Sequence, residues 1–335
     1  VKHVIVNESL QESEARPPGA FDTLVDRSVA AARDMLASPA GSERLSRCPA
    51  CGSTALAGAF SRHGYDYSEC RDCRSLWALH RPSAGQMRWY LHESPAARFR
   101  SDPGYLGSIR GRLNDLALGH AELMEDQAGR ARVEGWVAQV GPRSPVAIDR
   151  LARRGVSPVA AVAPLPPFEA FGGTDQETFG SLSDLGPDSA RLVSAFEILE
   201  HERDLPAFLA EARRVLAPGG ILVATARAGS GFDVQVLWEH ADVFPAEHIN
   251  LPSVEGMQTL LDRTGFEAVE ISTPGQLDLQ IVRRLHDRSG VQLPRFLEYI
   301  LSHRDSSCLE RFQAFIQEQR LSSHLRVIAR KLPTE

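Results

Sequence analysis

Lysine is almost missing from this chain. Of its 37 basic side chains only Lys2 and Lys331 are lysines; the others are arginines. Replacement this complete reads as a base-composition effect and marks no site. Long apolar runs are missing too: no stretch of about 18 apolar residues occurs, which excludes a bilayer-spanning helix. No internal repeat and no low-complexity tract is found, which excludes solenoids and long disordered linkers. The opening Val1-Lys2-His3-Val4-Ile5-Val6 runs into Asn7-Glu8 and is too short for the apolar core of a secretory signal. The expectation is a cytoplasmic protein with reduced thiols. An excess of cationic charge is also lacking. The net charge of -6 argues against a general nucleic-acid binder. With 335 residues and 43% apolar side chains, the chain has enough core-forming material for one large domain and a small one.

Cysteine is scarce but concentrated. Four of the five cysteines form two pairs, Cys48-Pro49-Ala50-Cys51 and Cys70-Arg71-Asp72-Cys73. A Cys-x-x-Cys turn sets two thiolates on one side of a tight loop. Two such turns a hairpin apart can close a tetrahedral S4 site around Zn²⁺. Gly52, after the first pair, suits a left-handed backbone that turns the chain back under the metal. Four thiolates leave no open coordination position, so the zinc expected here is structural. The alternatives are two disulfides or a redox pair. Residues 46–100 hold eight arginines against four acids, and an S4 zinc carries -2, leaving only a thin basic patch. Cys308 stands alone and reads as a small hydrophobe.

Periodicity divides the remainder. Residues 1–45 hold an extended start, a Pro17-Pro18-Gly19 break and a helix over 21–36. Residues 46–95 hold the zinc-ribbon domain, with a closing strand at 76–79 and a helical segment from Pro82. Residues 95–107 read as linker, and a long helix is expected over 108–128. From Val133 onward short apolar runs alternate with helices, the pattern of a parallel α/β sheet, so a Rossmann-like domain is expected over 108–335. Its strands are expected at 136–140, 159–162, 168–171, 191–196, 221–226, 266–272 and 323–331. Helices are expected at 145–154, 204–216, 254–264, 294–302 and 309–319.

The stretch Phe196-Glu197-Ile198-Leu199-Glu200-His201, followed by an amphipathic helix and Arg214-Val215-Leu216-Ala217-Pro218-Gly219-Gly220-Ile221-Leu222-Val223, resembles the class I S-adenosylmethionine-dependent methyltransferases. Glu247-His248-Ile249-Asn250, Gly265-Phe266-Glu267, Thr273-Pro274-Gly275-Gln276-Leu277-Asp278 and the ending Leu321–Lys331 resemble the branch with an N-terminal zinc ribbon. The resemblance spans roughly 46–331. It implies a seven-stranded methyltransferase sheet, S-adenosylmethionine as cofactor, and Phe196 and Glu197 at the end of the fourth strand beside it. Ligands of such sheets bind beyond the carboxyl ends of the strands, where the strand order reverses. Glu197, Glu200 and His201 are expected to face that crevice. The alternative for Glu200 and His201 is that they only begin the next helix.

The sequence departs from the family pattern at the cofactor site. No G-x-G-x-G occurs. After the first strand comes Gln139-Val140-Gly141-Pro142-Arg143-Ser144-Pro145, where only Gly141 survives from the glycine-rich turn. Gln139 stands near the usual acid, and Pro145 has no N–H to offer a carboxylate. The second strand ends in Ala163, where an acid would accept hydrogen bonds from the ribose. Asp149 is expected to be solvated, and Asp175, taken to follow the third strand, is the candidate to read the adenine amino group, the alternative being an ordinary turn residue. Weak or absent binding of S-adenosylmethionine is the expectation.

Two functions follow. One is a methyltransferase acting on a small molecule, a sugar or natural-product intermediate. His248 is then the candidate general base, with Glu247 beside it and His201 as a further candidate, because an imidazole titrates near neutrality. The alternative for His248 is a packed structural residue. The other function is a degenerate homologue that binds no cofactor and serves as a binding or scaffold subunit, or performs non-methyl chemistry. A third, RNA modification, is disfavoured by the charge balance. A homo-oligomer or a partner enzyme is left open.

Overall fold

A computed structural model describes residues 12, 16–17, 19–38 and 41–333. The extended start expected at Val1–Val6, and Pro18 of the Pro-Pro-Gly break, lie outside the described residues. In chain order come α1 (Ala20–Ala37), β1 (Glu43–Arg44), β2 (Leu56–Arg62), β3 (Tyr65–Cys70), β4 (Leu76–Ala78) and β5 (His80–Arg81). Then follow α2 (Ala84–His92), α3 (Pro95–Arg100), α4 (Pro103–Arg130), β6 (Trp136–Val140), α5 (Val146–Arg153), β7 (Val159–Val162), β8 (Glu177–Phe179) and β9 (Ala190–Phe196). The remainder is α6 (Leu205–Val215), β10 (Leu216–Arg227), α7 (Phe232–Leu237), β11 (Asn250–Leu251), α8 (Val254–Arg263), β12 (Phe266–Ser272), α9 (Asp278–Ser289), α10 (Arg295–His303), α11 (Ser306–Glu318) and β13 (His324–Lys331).

Seven strands form one sheet in the order β12-β13-β10-β9-β6-β7-β8. The pairs β10–β9, β9–β6, β6–β7 and β7–β8 are parallel, and β13 runs antiparallel to both neighbours. The central strands are apolar on both faces because helices cover both. On one face Leu205, Leu209, Ala212 and Val215 of α6 and Met257, Leu260 and Leu261 of α8 meet Val193, Leu222 and Val327. On the other, Ala117, Ala121 and Met124 of α4 and Ile148 and Leu151 of α5 meet Val137, Leu192 and Val223. Leu192 and Val193 pointing to opposite layers is the period-two alternation of a strand. The caps are local: Asp204 accepts Ala207 N at 3.0 Å to start α6, and Ser253 accepts Gly256 N at 2.8 Å to start α8. The order reverses between β6 and β9, so the crevice lies beyond Val140 and Phe196.

Two expected elements are corrected. Residues 95–107 are not a linker but α3 and the first turn of α4. Ser94 accepts Ala97 N at 3.1 Å, and Asp102 accepts Gly104 N and Tyr105 N at 2.9 and 3.1 Å. Pro95 and Pro103 sit in the first helical turn, where proline is tolerated. Residues 168–171 form a 3-10 turn, not a strand, and the outer strand is β8. Helices α7 and α9 were not foreseen.

The cysteine-bearing segment is not packed alone. Its sheet has the order β11-β4-β3-β2, so Asn250 and Leu251 supply an edge strand that pairs with Trp77 and Leu76. The β2–β3 turn at His63-Gly64 takes φ of 50° and 90°, the two left-handed residues of a tight hairpin. Tyr65, Tyr67 and Leu76 share one apolar core with Ala31 and Met35 of α1, Val282 of α9, Leu297 of α10 and Ile316 of α11.

Candidate functional site

The four sulfurs of Cys48, Cys51, Cys70 and Cys73 lie within 4.8 Å of one another. Cys48 Sγ is 3.6 Å from Cys73 Sγ, and Cys51 Sγ is 3.5 Å from Cys70 Sγ. Disulfides would need about 2.05 Å. Zinc bonds of about 2.3 Å in a tetrahedron set sulfurs about 3.8 Å apart, so the donor set fits that metal. The two turns are built alike. Gly52 N reaches Cys48 O and Arg74 N reaches Cys70 O, each at 2.9 Å. Gly52 (φ 79°) and Arg74 (φ 62°) both take left-handed backbone directly after the second cysteine of the pair. Gly52 carries that conformation without strain, whereas Arg74 bears it at a cost.

The crevice floor begins at Gly141. Its φ is 61°, its N–H meets Val162 O at 2.7 Å, and an added Cβ would lie 2.3 Å from Ile198 Cδ1. The left-handed backbone there favours glycine, and a side chain would have to displace Ile198. The loops beyond β6 and β7 are tied together: Leu165 N donates to Pro142 O at 3.0 Å, and Arg143 Nη1 to Pro166 O at 2.8 Å. Ala163 ends β7 with φ 45° and brings no carboxylate. Buried Gln139 leaves its Oε1 without a partner among the described residues.

Beyond β9, the face of buried Phe196 is stacked on His120, with centroids 3.7 Å apart and rings 4° from parallel. That face is closed to an adenine. Glu197 follows with φ 55°; its Oε1 accepts Thr225 Oγ1 at 2.9 Å and lies 3.4 Å from His324 Nδ1. Glu200 is buried at 3% exposure. Burial, then the Glu197 charge, push the Glu200 carboxyl well above the ordinary range. Glu197 is half exposed, and the His324 charge and the hydrogen bond from Thr225 hold its carboxyl below the ordinary range. Glu200 is an interior residue, not a crevice-facing one.

Asp175 is corrected. Because the outer strand is β8, Asp175 precedes it and sits at the amino end of a parallel strand, opposite the crevice. The segment leaving the carboxyl end of β8 is Gly180–Asp184, with Ser181 and Asp184 bonded to each other at 2.9 Å. Asp149 is not simply solvated, since Thr174 Oγ1 donates to its Oδ1 at 2.5 Å.

The 244–248 loop brings a charged cluster to the crevice. Glu247 Oε1 accepts from Arg100 Nη2, from Tyr90 OH at 2.7 Å and from Ser28 Oγ at 3.3 Å. Burial opposes its charge, but Arg100 and the Tyr90 hydroxyl hold its pKa at about 2. His248 Nδ1 accepts Phe244 N at 2.9 Å, which puts the ring proton on Nε2. Burial, then Arg227, bring its pKa down to about 4. Its free nitrogen is thus a donor. The proton-accepting role expected of His248 would need the other tautomer, which sets two N–H groups against each other. His201 is 7% exposed, and its Nε2 is buried without a partner. Burial, then the Arg143 charge, lower its pKa to about 3. Arg143 is itself lowered to about 10 by burial and by Arg100. The sequence carried no signal for Arg100, Tyr90 or Tyr105, which reach the cluster only through α2, α3 and α4.

The cysteine module holds this loop. Tyr67 OH donates to His248 O at 2.9 Å, and Ala78 N to Ile249 O at 3.0 Å. Ser253 N donates to Ser75 Oγ at 3.0 Å, and Ser253 Oγ to Cys73 O. Buried Arg81 bonds Asn250 Oδ1, Glu202 O at 3.1 Å and Arg203 O at 2.9 Å. Asn250 Nδ2 reaches Leu199 O and Glu202 O at 2.9 and 2.7 Å, fixing the turn that carries Glu200 and His201.

Residues 125–271, from the last turns of α4 to β12, match the family model described as a methyltransferase domain. No curated protein matches the sequence. Among solved structures, a SAM-dependent methyltransferase from Archaeoglobus fulgidus is 14% identical with a TM-score of 0.45, over 69% of this chain and 100% of that one. Geranyl diphosphate C-methyltransferase from Streptomyces coelicolor A3(2) is 14% identical with a TM-score of 0.42, over 70% and 87%. The [4+2]-cyclase SpnF is 15% identical with a TM-score of 0.41, over 64% and 81%. The fold is a seven-stranded, mostly parallel α/β sheet with a zinc-ribbon-like cysteine module before it. Among the described residues no helix is long and apolar enough to cross a membrane.

Proposed function

We propose that this protein is an S-adenosylmethionine-dependent methyltransferase acting on a small molecule, with the donor in the crevice beyond β6 and β9. One observation carries the reading: the methyltransferase-domain match covers 125–271, which include both strand ends that form the crevice. Gly141 lets the backbone turn at the donor's amino-acid end, and Glu197 projects from the end of β9. Ala163 leaves the ribose hydroxyls without their carboxylate, so the donor is held weakly. When bound, S-adenosylmethionine supplies the electrophilic methyl group. Glu247 fixes Arg100, and His248 offers its Nε2–H to the acceptor. Zinc in the four-cysteine site is structural and holds the 244–251 segment in place.

Calorimetric titration with S-adenosylhomocysteine tests this. The expected result is one saturable site per chain. No saturation at millimolar ligand would reject the reading.

A further inference from the structure

Four thiolates leave a metal no open position, so a reagent that acts on the cysteine site must attack sulfur. Cys51 is the partly exposed cysteine there; Cys48, Cys70 and Cys73 are buried. Cys51 Sγ lies 3.5 Å from Cys70 Sγ, and Cys48 Sγ 3.6 Å from Cys73 Sγ, so both short pairs join one turn to the other. A disulfide needs about 2.05 Å, and closing either pair draws the two turns together. The Cys73 turn is also where the larger sheet is fastened. Cys73 Sγ meets Ser75 Oγ at 3.3 Å, Ser75 Oγ accepts Ser253 N at 3.0 Å, and Ser253 Oγ donates to Cys73 O. Beside Ser253, Leu251 and Asn250 pair with Leu76 and Trp77 of β4. Asn250 Nδ2 donates to Leu199 O at 2.9 Å and Glu202 O at 2.7 Å, and Arg81 of β5 bonds Asn250 Oδ1, Glu202 O and Arg203 O. The turn held this way, 198–203, leaves the end of β9. Its Ile198 lies against Gly141, with Cδ1 2.3 Å from where a Cβ on that glycine would stand. A contiguous run of hydrogen bonds and contacts thus leads from Cys73 to the glycine of the crevice floor.

We propose that the pairs Cys51–Cys70 and Cys48–Cys73 are an oxidation site for peroxides, and that forming these disulfides releases the zinc and loosens the donor crevice. This deepens the proposed function and rests on it, because the ligand it controls is the methyl donor. The Cys51 sulfur attacks the peroxide: an S–O bond forms, the O–O bond breaks, and the leaving hydroxide takes up a proton. The Cys70 sulfur then attacks the oxidised Cys51 sulfur: the S–S bond forms, the S–O bond breaks, and the second oxygen leaves as water. Two thiols and one peroxide give one disulfide and two waters, with sulfur oxidised and peroxide reduced. A second peroxide closes Cys48–Cys73 in the same way. Sulfurs in a disulfide are no longer thiolates, so the zinc loses its ligands. Cys73, drawn toward Cys48, shifts the anchor of Ser253, and the 249–253 strap and the 198–203 turn lose their hold together.

Hydrogen peroxide is the probe, applied to the whole zinc-loaded chain. Zinc release is followed with a chromogenic chelator, the disulfides by peptide mapping, and S-adenosylhomocysteine binding by calorimetry. Peroxide is expected to release the zinc, to form Cys51–Cys70 before Cys48–Cys73, and to weaken S-adenosylhomocysteine at least about fivefold. Dithiothreitol with added zinc should restore both zinc and affinity, a reversal that methionine oxidation would not allow. Amide exchange should lose protection at 249–253 and 198–203 while β9 and β10 keep theirs. Cys308→Ser, which removes the one thiol outside the module, should respond as the wild type does. Zinc retained at millimolar peroxide, disulfides within a turn instead of between turns, or a response lost in Cys308→Ser overturns the proposal. So does loss of protection across β9 and β10, which would be unfolding and not a loosened crevice. Affinity that survives complete oxidation rejects this control alone. A reduced, zinc-loaded protein that binds no S-adenosylhomocysteine rejects the methyltransferase reading and this inference with it, so the two failures are distinguishable.

Discussion

Glu247 shows how a single residue can be placed by neighbours distant in sequence. Arg100, Tyr90 and Ser28 come from three helices to one oxygen. Its folded pKa, about 2, lies below the ordinary 4.5, so the unfolded chain binds the extra proton between those values. The carboxylate therefore stabilises the fold fully above pH 4.5, and that stability is lost as pH falls toward 2. The amount is on the order of 3 kcal/mol. Urea unfolding of wild type and Glu247→Gln should differ most above pH 5 and converge toward pH 3. A gap that does not shrink on acidification would contradict this. His248 gives a second prediction at this scale. Its ¹⁵N shifts should report the Nε2–H tautomer at pH 7 and no titration until about pH 4. An Nδ1–H tautomer, or a midpoint near 6.5, would show that the bond from Phe244 N does not hold. The cysteines and Gly141 were legible in the sequence because spacing and residue type alone dictate their geometry. Arg100, Tyr90 and Tyr105 were not, because an arginine or tyrosine on a helix has no local mark of the long-range partner it meets.

At the scale of elements, β11 joins the cysteine module to the crevice. It is only two residues long, yet it pairs with β4, and Ser253 beside it bonds the Cys73 turn. The untagged protein should contain about one zinc per chain. Removing the metal by chelation, or replacing Cys70→Ser, should strip amide-exchange protection from 48–79 and from 249–253, while β9 and β10 stay protected. Protection retained at 249–253 after metal loss would show that the strap holds without zinc. Amphipathic helices such as α6 and α8 were readable from their 3.6 period and side-chain caps. The Pro95–Gly107 segment misled because its prolines start helices instead of breaking them. Phe168–Phe171 misled because a four-residue, mostly apolar run between Pro-Pro and Gly-Gly fits a strand or a turn equally. That error displaced the outer strand and took Asp175 to the wrong end of the sheet.

For the whole molecule, the alternation of apolar runs and helices from Val133 onward was enough to foresee the α/β sheet, because strands buried on both faces have little sequence freedom. The shared core between the cysteine module and α9 to α11 was not visible, since it joins residues more than 200 positions apart. The proposed function depends on a donor site at the centre of that sheet, where Ala163 is expected to stand in place of a ribose-binding carboxylate. Losing charge-assisted hydrogen bonds to the ribose costs on the order of 1.5–3 kcal/mol, or tenfold and more in affinity. The most direct measurement is a calorimetric titration of S-adenosylhomocysteine into wild type and Ala163→Glu. The wild type is predicted to saturate at one ligand per chain with a Kd on the order of 100 μM or weaker, and Ala163→Glu to bind about tenfold more tightly. A low-micromolar Kd in the wild type, or no tightening in a folded Ala163→Glu protein, would contradict it.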